Sequence, residues 1–117
     1  MIEIGLKKSD NPGGTLIYSA VEDGRALGEC VFSAGVREGE ILSVKMAGDG
    51  LRGVADGLLR SALSYMSVRG ISRALCRGGV DEGLLRGVGF KDGGGVWSIE
   101  PDAVFGGCEK NNTRMPE

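Results

Sequence analysis

The spacing of apolar residues changes once along the chain, and that change constrains the fold more than any other feature. Up to residue 46 apolar positions alternate or form short blocks between turns. From Leu51 to about Arg69 they recur at helical spacing. Val54, Leu58, Ala62 and Met66 form one stripe, with Ala55, Leu59 and Leu63 beside it. Ala47-Gly48-Asp49-Gly50 separates the two regimes, and Gly70 stands where a helix C-terminus favours glycine. Ile71–Cys76 (ISRALC) then reads as a strand again. Glu40–Met46 (EILSVKM), apolar on both faces, reads as the buried strand before the helix. Strand, long helix and strand predict a βαβ unit with two parallel neighbours and a right-handed crossover.

The flanks are simpler. Ile2, Ile4 and Leu6 alternate with Glu3 and Gly5, which predicts an edge strand. After the turn signal Ser9–Gly14 comes a strand over Thr15–Val21. A hairpin at Glu22-Asp23-Gly24-Arg25 leads into a partner strand, Ala26–Phe32. After Cys76 the chain reads as loop, a short helix capped by Asp81 and carrying Leu84, Leu85 and Val88, and a stop at Gly89-Phe90. A flexible run Lys91–Gly95, a last strand over Val96–Ile99 and a turn at Ala103-Val104-Phe105 complete the domain. Residues 1–108 are expected to form one domain, with a polar tail over 109–117.

Composition mainly excludes. The chain of 117 residues has no histidine, which removes Ser-His-Asp and Cys-His catalysis and the usual zinc enzymes. Acid–base chemistry must then use carboxylate, Tyr, Lys, Cys, backbone or water. The formal net charge of −2 gives no bulk attraction to nucleic acid or anionic membrane. Cys30, Cys76 and Cys108 are widely spaced with no CxxC, which fits reduced thiols in a cytoplasmic protein, and no metal site is expected. Neither a signal peptide nor a membrane span is expected. Glycine is unusually frequent, at 22 residues, against a general share of about 7%.

The order of elements, with EILSVKM, GLRGVADGLLRSAL, SVRGISRALC and GLLRGVGFKD in succession, resembles the GNAT superfamily of N-acetyltransferases. The resemblance covers roughly residues 26–99. It implies an α/β fold with a mixed, mostly antiparallel sheet, a central parallel strand pair, one long helix and one short helix. It also implies an acyltransferase that moves an acetyl group from acetyl-CoA, as co-substrate, to an amine on a small molecule or peptide. In the family a loop R/Q-x-x-G-x-G/A opens the long helix, and its amides bind pyrophosphate. Gly53-Val54-Ala55 matches its G-x-G/A, with Arg52 the nearby cation. Free amides and a positive dipole at a helix start make such contacts favourable. By the same resemblance Val44 and Met46 offer their backbone to the pantetheine arm, and Glu40 corresponds to a general base. Glu40 also reads as an ordinary charged residue at a strand end.

Several positions depart from the family. Gly50 stands in place of Arg or Gln, and Asp56 adds a carboxylate near the phosphate site. Asp49 is placed to cap the helix and occupy its amides. The tyrosine that often protonates the leaving thiolate corresponds to Leu85, and the asparagine that commonly precedes it corresponds to Gly78. Tyr18 is a conceivable substitute, while Tyr65 and Trp97 read as packing residues. The helices that usually follow the first strand, and wall the acceptor site, are missing. Two alternatives stay open: a catalytically degenerate fold that binds CoA or another protein, and a homodimer whose partner chain supplies the wall.

Overall fold

The computed structural model describes residues 2–8, 15–48 and 50–104. Strands β1 (Ile2–Lys8), β2 (Thr15–Glu22), β3 (Arg25–Ala34) and β4 (Glu38–Met46) precede helix α1 (Arg52–Val68). Strand β5 (Arg73–Cys76), helix α2 (Glu82–Val88) and strands β6 (Lys91–Asp92) and β7 (Trp97–Ile99) follow, with one helical turn over 101–104. The seven strands form one sheet in the order β1-β2-β3-β4-β5-β7-β6. Every pairing is antiparallel except β4–β5, which is parallel as the βαβ reading requires.

Both helices lie on the same face of the sheet. A side chain at Gly39 would run into Met66 of α1, and Phe32 meets Tyr65 edge to face with ring centroids 5.6 Å apart. Residues directly opposite across a ladder share a face. Gly39 is opposite Ala74 on β5, and Ala74 is opposite Ile99 on β7. The parallel row Ile41, Cys76 and Trp97 ends under Arg86 of α2, whose guanidinium lies 5.1 Å from the Trp97 ring centroid. The core is therefore one layer between sheet and helices: Phe32, Ile41, Leu58, Leu59, Leu63 and Met66 are fully buried there. The other face, with Glu29, Ser33, Glu40 and Leu75, carries no helix among the described residues.

Local chemistry sets the ends. The β2–β3 hairpin turns through Asp23 and Gly24 at φ 53° and 81°, the geometry that Asp-Gly favours. At the end of α1 Gly70 adopts φ 79°, and the Ile71 N–H donates to the Met66 carbonyl at 2.9 Å. Asp81 caps α2 by accepting from the Leu84 N–H at 2.9 Å.

Some expectations change. Strand β4 begins at Glu38 and is not apolar on both faces, because it bulges. Val31 is opposite Ser43 and Phe32 opposite Ile41, so Leu42 has no partner and is 38% exposed. A second irregularity leaves Leu27 unpaired between β2 and β3. Strand β5 starts at Arg73, since Ile71 goes into the core beside the helix end. The run expected to be only flexible contains β6, formed because Lys91 and Asp92 pair with Ser98 and Trp97. A third helical piece, over 101–104, is added to the two expected. The tail, Cys108, Asp49 and the Ser9–Gly14 turn lie outside the described residues.

Cys30 and Cys76 are free and buried on the helix side. Burial, with Cys76 as a neighbour, pushes the Cys30 thiol from 9.0 up to about 12. Burial raises Cys76, the Gly78 backbone lowers it and the Glu40 carboxylate raises it, with burial the largest cause. A raised folded-state pKa means the thiols ionise more readily in the unfolded chain. Their contribution to stability is thus fully present below about pH 9 and is lost as pH rises towards 12. A disulfide reagent at pH 8 should label no more than one of the three cysteines promptly, and all three after denaturation. Prompt labelling of two in the native state would contradict the burial.

Candidate functional site

The site begins where β4 and β5 part. Their pairing ends at Ile41 opposite Cys76; β5 stops there while β4 continues to Met46. The Leu42 bulge lies at the parting. Beyond it the Val44 N–H points into the gap, and alternation turns the Met46 backbone the same way. The Ala47 N–H points oppositely, donating to Leu27 of β3 at 2.8 Å. A cavity of about 190 Å³ lies here, lined by Val44, Met46, Leu51, Arg52, Ala55, Asp81 and Leu84 among others.

The start of α1 forms one end of that cavity. The first intrahelical hydrogen bond runs from the Ala55 N–H to the Leu51 carbonyl at 2.9 Å. The amides of Arg52, Gly53 and Val54 precede it and have no intrahelical acceptor. Leu51, at the cap position, makes no side-chain bond to them, and the first turn holds no acidic residue. A Cβ at Gly53 would meet nothing within 4 Å among the described residues. Gly53-Val54-Ala55 is thus already helical. Ala55 offers its methyl group to the cavity, and its own amide is used.

Asp56, expected to repel an anion here, and Arg52, expected to attract one, are both paired. The Asp56 carboxylate accepts from the Arg60 Nε at 2.8 Å, one turn along the helix. Arg52 reaches across the rim to Asp81 at 3.3 Å, and both side chains are well exposed. An ion pair so exposed adds about 0–1 kcal/mol, so Arg52 is free to change partners.

The loop after β5 closes the gap from the other side. Gly79, at φ 79°, lies so close to β4 that a Cβ there would come 2.6 Å from the Leu42 carbonyl oxygen. The Val44 N–H donates to the Gly79 carbonyl at 3.4 Å, a long bond.

Glu40 is on the helix-free face, since Gly39 and Ile41 on either side of it face α1. It lines a separate depression of about 450 Å³ with Ser33, Gly35, Glu38, Leu75 and Arg77. Arg77 donates to the Glu40 carboxylate at 2.8 Å, and Arg73 to Glu38 at 2.7 Å. Val44, Met46, Arg52 and Ala55 therefore share one cavity, with Gly53 and Val54 at its rim and Glu40 across the sheet. The parting of β4 and β5 connects the two sides. Tyr18 is not brought near either. It stacks on Phe32 with centroids 5.8 Å apart, and burial followed by Tyr65 raises its phenol pKa. Leu85 is buried, so the position of the family's tyrosine faces core. Sequence reasoning passed over Gly79 and Arg77 and read Asp81 only as a helix cap; a Gly-Gly pair just after a parallel strand was the available signal.

No family model and no curated protein matches the sequence. Solved structures match well. A GNAT family acetyltransferase from Elizabethkingia anophelis, with acetyl-CoA bound, superposes at a TM-score of 0.67 over 85% of this chain and 97% of that one, at 13% identity. One from Brucella melitensis, also in complex with acetyl-CoA, gives 0.61 over 73% and 57%, at 24% identity. Aminoglycoside 6'-acetyltransferase type Ii gives 0.68 over 78% and 71%, at 12% identity. The fold of this chain is that of the GNAT acetyltransferases. Among the described residues no helix is long and apolar enough to cross a membrane.

Proposed function

We propose that the chain is an acetyl-CoA-dependent N-acetyltransferase acting on an amine of a small molecule or peptide. The observation that carries this is the cavity at the parted strands, with helix amides that have no intrahelical acceptor at one end and β4 backbone along its side. A pyrophosphate suits the amides of Arg52, Gly53 and Val54, and the Arg52 guanidinium can leave Asp81 to join it. An extended amide-bearing arm suits the Val44 and Met46 backbone once Gly79 has yielded. Acetyl-CoA, when bound, supplies an activated acetyl thioester. Glu40 and Arg77 face the helix-free side, where the acceptor amine would approach. Glu40 takes the amine proton, directly or through water, so that the nitrogen lone pair is available for attack. The buried thiols fit a cytoplasmic setting.

Thermal denaturation with acetyl-CoA tests this reading. At one hundred times Kd binding adds about 2.7 kcal/mol, a rise in Tm of roughly 10 °C or more for a domain of this size. Arg52→Ala should weaken binding about fivefold, near 1 kcal/mol. A flat response at millimolar acetyl-CoA would reject the reading, and unchanged affinity in the variant would remove Arg52 from the site.

A further inference from the structure

We infer that β1 is a self-complementary edge through which two copies of the chain pair to continue the sheet. This does not depend on acetyl transfer. Strand β1 ends the sheet order, and among the described residues nothing covers its outer side. Ile2, Ile4 and Leu6 are 43%, 38% and 38% exposed, half of the exposed large hydrophobic residues described. They share the helix face with Tyr18 and Ala20, their ladder neighbours, and Ile4 reaches the surface of α1 at Gly57. An unpaired strand of seven residues with an apolar row beside the core is a template for another strand.

The strand sequence selects the partner and its register. In the two-residue hairpin Glu22 and Arg25 form the hydrogen-bonded pair, so Val21, Ser19 and Ile17 turn their backbone groups towards β1. Their partners are Glu3, Gly5 and Lys7, which leaves the backbone groups of Ile2, Ile4 and Leu6 pointing outward. A second copy of β1, antiparallel and related by a two-fold axis at Gly5, overlaps the whole strand. Ile4 then lies opposite Leu6 of the other copy on the helix face. On the other face Glu3 lies opposite Lys7, and the symmetry makes each pair twice. Gly5 meets Gly5 at the close, non-hydrogen-bonded position, where no side chains crowd. Moving the axis by two residues either way shortens the overlap and separates Glu3 from Lys7. Because β2 and β3 lie between β1 and β4, this pairing leaves both faces of the candidate site open and does not provide the acceptor wall.

Sedimentation velocity across about 10–500 µM tests it, a range suited to an interface at the small end of the size scale. The unaltered chain is expected to show a reversible monomer–dimer equilibrium. Glu3→Lys alone and Lys7→Glu alone each set like charges opposite one another twice, and each should weaken dimerisation at least tenfold. The doubly swapped chain, Glu3→Lys with Lys7→Glu, restores opposite charges in the same register and should recover affinity to within about threefold. Circular dichroism and thermal melting establish that each variant is folded, as exposed positions allow. A chain monomeric throughout the range, its edge left for a different partner, would overturn the proposal. So would a dimer insensitive to the single swaps, or one that the double swap fails to restore.

Discussion

Glu40→Gln is expected to lower the turnover of acetyl transfer by about 100-fold or more while leaving acetyl-CoA affinity within a factor of about two. The substitution keeps the shape of the side chain and removes its capacity to take a proton. Glu40 lines a depression distinct from the cavity of Val44, Met46 and Arg52, so its loss should separate chemistry from cofactor binding. The fold should survive, because among the described residues Glu40 pairs with the exposed Arg77 alone, an interaction of about 0–1 kcal/mol. Steady-state kinetics with calorimetry on the same preparation reads both quantities. Equal turnover in the variant would leave Glu40 as a strand-end charge held by Arg77. Loss of affinity without loss of turnover would place it on the wrong side of the sheet for its assigned work.

The largest loss of stability should come from Phe32→Ala. Phe32 is fully buried in β3, stacked on Tyr18 and edge-on to Tyr65, so it joins the sheet to α1. Truncating such a ring removes its transfer free energy and leaves a cavity, together about 3–5 kcal/mol. The offset stacked and edge contacts add to that loss. Against a total stability of about 5–15 kcal/mol, this brings a domain of this length close to unfolding at 37 °C. Denaturant titration should show the midpoint shifted with the slope unchanged, and Phe32→Leu should lose much less. A Phe32→Ala loss below 1 kcal/mol would mean that the α1–sheet contact tolerates a void there.

What could be read from the sequence follows the range of the interactions involved. The hairpin at Asp23-Gly24, the stripe on α1, the caps at Gly70 and Asp81 and the parallel pairing of β4 with β5 all follow from local patterns or from a connection of known length. The Leu42 bulge does not. It exists because β3 and β4 slip by one residue relative to each other, and neither strand carries that information alone. Strand β6 is two residues long, too short to show a period, and its partners fix it. The site divides the same way. Gly53-Val54-Ala55 and the β4 backbone at Val44 and Met46 become candidates through the family resemblance, and that resemblance cannot show that the Ala55 amide is taken by the Leu51 carbonyl. The Arg52–Asp81 pair joins residues 29 apart, and the Glu40–Arg77 pair joins residues 37 apart. Such contacts between loop and element ends depend on tertiary placement, and pattern does not encode them.

The Val44–Gly79 contact has a thermodynamic consequence. A strand-like ligand entering between β4 and the loop gains the Val44 N–H only by breaking an existing bond to the same group. The exchange is nearly neutral in enthalpy, and freeing the 77–80 loop returns some entropy. The backbone groups along β4 then decide where such a ligand lies and in which direction it runs, and contribute little to how tightly it is held. Affinity falls to the charged end at α1. Salt should therefore weaken binding more than any substitution along the strand, because screening acts on the phosphates and leaves the exchanged amide bond untouched.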